Sequence, residues 1–70
     1  MVTTRQLVEF ILERDPETRE WFANNHGFTI EKARSVDLSD YEGYVAGIVN
    51  EGLRKGIVSQ RQIEGPKRVR

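Results

Sequence analysis

Apolar positions along this chain recur at helical spacing, and no alternation lasts long enough for a strand. Leu7, Val8, Phe10, Ile11 and Leu12 cover one broad face, with Gln6, Glu9 and Glu13 opposite, which predicts a first helix over 4–14. Thr3 with Gln6 reads as its capping box, hydroxyl and amide each satisfying an orphan backbone donor. Asp15-Pro16-Glu17 restarts the chain as a second helix with almost no loop: Asp15 as cap, Pro16 at the first helical position, Glu17 on the positive end of the dipole. That helix carries Trp21 and Phe22 and ends at Asn25-His26-Gly27. Thr29 caps a short third helix, with Ile30, Ala33 and Val36 facing inward and an interruption at Asp37 or Ser39.

Ser39-Asp40-Tyr41-Glu42, preceded by Leu38, reads as the capping box of a fourth helix over 39–55. Tyr41, Tyr44, Val45, Ile48, Val49 and Leu53 make one stripe along it, and Gly56 is its stop. Ser59-Gln60-Arg61-Gln62 repeats the capping pattern, with Val58 and Ile63 as a hydrophobic staple, and Gly65-Pro66 ends that last short helix. The expected fold is therefore all-α: a compact bundle of four short helices plus a C-terminal helical turn, forming a single domain over 1–66 with a basic tail over 67–70. The expected core is Leu7, Phe10, Ile11, Trp21, Phe22, Phe28, Ile30, Ala33, Leu38, Tyr41, Val45, Ile48, Val49, Leu53 and Ile63.

Composition narrows the function classes. The chain has 70 residues, no Cys and one His, so disulfides and cysteine-based zinc sites are excluded. No apolar run approaches the ~18 residues of a membrane span. His26 stands at a helix C-terminus, where an imidazole suits the dipole, and it lacks the partners of a triad or a metal site. Asp37, Asp40 and Glu42 lack the spacing of a calcium loop, and the glycines are not spaced as a phosphate loop. A body this small encloses no water-free pocket, so the expectation is a protein without catalytic activity, cofactor or small-molecule substrate. The start at Met1, with no leader ahead of the helical pattern, gives a cytoplasmic expectation, and the size suits a phage-like or mobile-element accessory protein.

Charge changes the picture more. Formal net charge is zero, yet residues 1–51 hold five basic against ten acidic side chains, and residues 52–70 hold six basic against one acidic. Such a split points to a macromolecular partner, protein or nucleic acid. The candidate surface is the fourth helix with the basic C-terminal segment: Arg54, Lys55, Arg61, Lys67, Arg68 and Arg70 as phosphate or carboxylate contacts, with Gln60 beside them. Gly43 and Gly47 lie on one side of the fourth helix near Asn50, leaving a shallow groove for a partner helix, the first helix or a second copy in a homodimer. Trp21 or Tyr44, if exposed beside Leu53, becomes an anchor for binding.

Residues 58–68, Val58-Ser59-Gln60-Arg61-Gln62-Ile63-Glu64-Gly65-Pro66-Lys67-Arg68, resemble the recognition helix of phage-repressor-type helix–turn–helix proteins. The resemblance implies DNA or RNA binding by a helix–turn–helix-like unit over 39–64, with Gln60, Arg61 and Gln62 facing the bases. Three departures stand beside it: the Gly56–Ser59 stretch is one residue longer than the usual turn, Gly52 replaces the packed Ala of the first helix, and Gly65-Pro66 shortens the second. The first expectation is thus a non-catalytic interaction module binding a protein or itself. The alternative is a small nucleic-acid-binding protein.

Overall fold

The computed structural model describes residues 3–59. The chain forms α1 (Thr4–Arg14), α2 (Pro16–His26), α3 (Ile30–Ser35), a 3-10 turn (Leu38–Tyr41) and α4 (Glu42–Arg54). The all-α class is as the periodicity predicts. The last expected helix, with Gln60, Arg61, Ile63, Lys67, Arg68 and Arg70, lies outside the described residues.

Local chemistry sets most boundaries. Thr3 Oγ1 accepts from Gln6 N at 3.1 Å, and Gln6 Oε1 accepts from Thr3 N at 2.9 Å, which closes the α1 capping box. Thr29 Oγ1 accepts from Lys32 N at 3.1 Å and starts α3. Gly27 ends α2 at φ 66°, a left-handed conformation that costs glycine nothing, and donates to Ala23 O at 3.0 Å. Gly56, at φ 76°, does the same after α4.

Two expected caps are corrected. Ser39 does not open the fourth helix. Asp37 accepts both the backbone N–H and the hydroxyl of Ser39, at 3.1 and 2.8 Å, so the hydroxyl is spent as a donor. The chain tightens into the 3-10 turn, and α4 begins at Glu42. Asp15 precedes α2 but makes no capping bond from its side chain. Its carboxylate accepts from the Thr18 hydroxyl at 2.5 Å and meets Lys55 Nζ, from the far end of α4, at 2.8 Å.

Helix α1 is the centre of the packing and touches α2, α3 and α4. Leu7, Val8, Ile11 and Leu12 on α1, Phe22, Phe28, Ala33, Ile48 and Val58 form the buried core. Phe10, Ile30, Leu38, Tyr41, Val45, Val49 and Leu53 pack around it only half-buried. Trp21, expected inside, is 52 % exposed. Trp21 and Phe22 are ~100° apart on one helix, and Trp21 lies on the side of Glu17 and Glu20, both exposed. Phe22 is the one that points inward.

Gly52 provides the closest approach. A Cβ there would stand 2.5 and 2.8 Å from the Ile11 side chain and 3.2 Å from Val58 Cγ2. The residue marked above as a departure from the repressor pattern is thus the one that lets α1 and α4 meet. Arg5 ties the third contact: its guanidinium donates to Ala33 O at 2.7 Å and Val36 O at 2.8 Å, satisfying the carbonyl end of α3. Arg5→Ala leaves both carbonyls without that donor, and a loss of about 1–3 kcal/mol is expected in urea unfolding. A midpoint equal to that of the parent would show that the cap carries no stability.

Candidate binding groove between α2 and α4

Between α2 and α4 lies an open groove of about 350 Å³. Its floor is Phe22 and Gly47. A Cβ at Gly47 would come within 3.1 Å of Phe22 Cζ, so the absent side chain is what lays the ring edge open. Trp21 forms the outer wall. Its ring meets Phe22 edge-on at 5.0 Å between centroids and His26 at 5.1 Å, and His26 continues the aromatic strip to Tyr44 at 4.8 Å. Among the described residues Trp21 is the sole large apolar side chain that is exposed.

The other end of the groove is ionic. Lys55 Nζ sits between Asp15 Oδ2 at 2.8 Å and Glu17 Oε1 at 2.6 Å. Arg54 pairs with Glu51 one turn earlier, at 2.5 Å. Burial works to raise the Asp15 carboxyl, but the Lys55 ammonium and the Thr18 hydroxyl more than offset it and hold the carboxyl below its ordinary value. Lys55 is held above its own ordinary value by hydrogen bonds to Asp15 and Glu17. Arg54 keeps Glu51 low in the same way.

These shifts fix the pH dependence of stability. A depressed Asp15 stabilises the fold fully above about pH 5, and that contribution is lost as pH falls through the carboxylate range. A raised Lys55 stabilises it fully below its ordinary pKa of ~10.4 and loses the contribution as pH rises through the higher folded value. Asp15→Asn is expected to lower the melting temperature at pH 7 and to flatten its fall between about pH 5 and 2. Parallel acid profiles for parent and variant would show that the pair does not contribute.

Of the candidate residues read from the sequence, the groove brings together Gly47, Arg54 and Lys55. Gly43 is exposed in a separate depression with Asp40, Tyr41, Glu42 and Tyr44, and a Cβ there would meet nothing within 4 Å. Gly43 and Gly47 therefore do not share one groove. Asn50 is exposed on α4 outside the lining. Gln60, Arg61, Lys67, Arg68 and Arg70 lie outside the described residues.

The apolar pattern places Trp21 in the core, but the residues around it on α2 point the other way. Glu17, Asn24 and Asn25 stand four before, three after and four after Trp21, so its helix face is polar, whereas Thr18 shares the face of Phe22. No group of His, Asp and Glu among the described residues is arranged to hold a metal ion, and no helix among them is long and apolar enough to cross a membrane.

The fold and the groove define a small all-α protein with an aromatic-walled cleft on one face. Compared with known protein families, with curated proteins and with solved structures, the chain gives no match.

Proposed function

We propose that this protein is a non-catalytic interaction module that holds a partner protein in the α2–α4 groove. The observation that carries the reading is Trp21: a large indole left half in water at the lip of a cleft whose floor is opened by Gly47. Exposed aromatics beside a concave apolar floor are the usual anchors of protein interfaces. The ionic end favours a protein over nucleic acid. Arg54 and Lys55, the described cations nearest the C-terminal segment, are already engaged with Glu51, Asp15 and Glu17. Cations spent in this way release few counterions onto a phosphate backbone.

The test places a photoreactive benzophenone residue at Asn24, which is exposed one turn from Trp21. Irradiation in cells is expected to trap a protein, and Trp21→Ala in the same chain is expected to abolish the adduct. Trp21→Ala itself is expected to lower stability by only about 1 kcal/mol, since the ring is half exposed and loses mainly edge contacts. Trapping that survives Trp21→Ala, or steeply salt-dependent binding to duplex or single-stranded DNA instead, overturns the reading.

A further inference from the structure

Resting on that reading of the groove, we propose that its occupant is a cationic amphipathic segment of the partner protein. One bulky apolar side chain seats on Phe22 and Gly47 beside Trp21, and Lys or Arg residues stand against Glu17 and Glu20. The groove, about 350 Å³, lies at the small end of ligand cavities, which suits one or two large side chains rather than an enclosed molecule. Its walls are two helices, so the fitting shape is an elongated segment laid between them.

Charge selects the rest of the occupant. Two carboxylates, Glu17 and Glu51, and two cations, Arg54 and Lys55, line the groove; behind Lys55 lies buried Asp15, and Glu20 stands exposed beside Trp21 on the rim, so the groove with its surroundings carries four carboxylates against two cations. One ammonium is shared by two of those acids, and Glu20 has no ion-pair partner among the described residues. Glu17 is 83 % exposed and shares the outer face of α2 with Glu20 and Trp21. Over residues 3–59 there are seven basic and ten acidic side chains, three negative charges net, so the other described residues do not cancel the local excess; residues 60–70 hold four basic and one acidic side chain. A polyanion would be repelled here. Two copies of this face brought together would set carboxylates against carboxylates. A basic segment relieves the excess.

The experiment uses the full chain and a fluorescein-labelled helical peptide about two heptads long, with leucines along one stripe and lysines elsewhere. A matched peptide carries glutamate in place of lysine. Anisotropy is expected to show at least a tenfold preference for the lysine peptide. Both Trp21→Ala and the Glu17→Lys/Glu20→Lys double variant are expected to reduce its binding about tenfold. Amide resonances of Gly47 and Glu51 are expected to move with the lysine peptide. Equal binding of both peptides, or binding unmoved by either variant, overturns the proposal.

Two further outcomes overturn it by naming another occupant. An unlabelled peptide of residues 60–70 that displaces the probe at equal concentration makes the chain's own C-terminal segment the ligand. A sedimentation mass that rises with concentration and is restored to the monomer by Trp21→Ala makes it a second copy. If neither peptide binds while the Asn24 adduct still forms, the partner's chemistry is wrong and the docking reading stands. Without the adduct, the docking reading itself fails.

Discussion

Phe28→Ala is expected to unfold about half of the protein at 25 °C. Phe28 is only 1 % exposed and is the largest fully buried side chain among the described residues. Its ring holds three elements together: it follows the α2 stop, its N–H donates to Phe22 O at 3.1 Å, and its ring centroid lies 5.4 Å from both Tyr41 and Tyr44. Truncating a buried phenylalanine costs about 3–5 kcal/mol, as lost transfer free energy plus the cavity left behind. A single core in a chain of this length supplies only about 3–5 kcal/mol of net stability. The two figures are equal, so the folding free energy falls to near zero and about half of the chains are unfolded. Circular dichroism is expected to lose about half of its helical signal at 25 °C. A variant that still melts cooperatively within about 10 °C of the parent would show that the surrounding rings close the cavity.

Gly52→Val is the second large effect, and its sign opposes helix propensity. A glycine in a helix interior is about 1 kcal/mol worse than alanine, so replacing it should help wherever there is room. At Gly52 there is none. The added Cβ would overlap the side chain of Ile11, which is fully buried in a close-packed core. Relief requires α1 and α4 to part, which also loosens Val58. Overpacking of this kind costs about 1–3 kcal/mol for Val. For Gly52→Ala a smaller net loss is expected, because the propensity gain offsets part of the clash. Gly43→Ala is the control: with open space around its Cβ it is expected to be neutral or to stabilise by about 0.5 kcal/mol. Urea midpoints that rank Gly52→Ala with Gly43→Ala would show that the helices are not in contact through Gly52.

Both effects concern the seam on which the groove depends. The Lys55 link to Asp15 and Glu17 and the Gly52–Ile11 contact fix where α4 lies against the α1–α2 junction. Gly47 then stands over Phe22, and Trp21 is left outside. The cleft is a by-product of tight packing next to it. Variants that loosen the seam are therefore expected to weaken docking along with stability, whereas Trp21→Ala separates the two.

Residues close in sequence determined the element list: the capping box at Thr3, the break at Asp15-Pro16, the left-handed stop at Gly27, the cap at Thr29 and the apolar stripe of α4. Each is a contact over three or four positions, made wherever the rest of the chain goes, and so each was legible in the sequence. The Asp37–Ser39 turn is local too, a contact over two positions, and there one local pattern displaced another, the Ser39 cap. Only the tertiary structure decided which of two adjacent aromatics faces the core, that Gly52 is the point of closest approach, and that Asp15 meets Lys55. Those outcomes depend on which face of each helix another helix covers. That choice is made by packing between residues far apart in the chain, and a local pattern does not contain it.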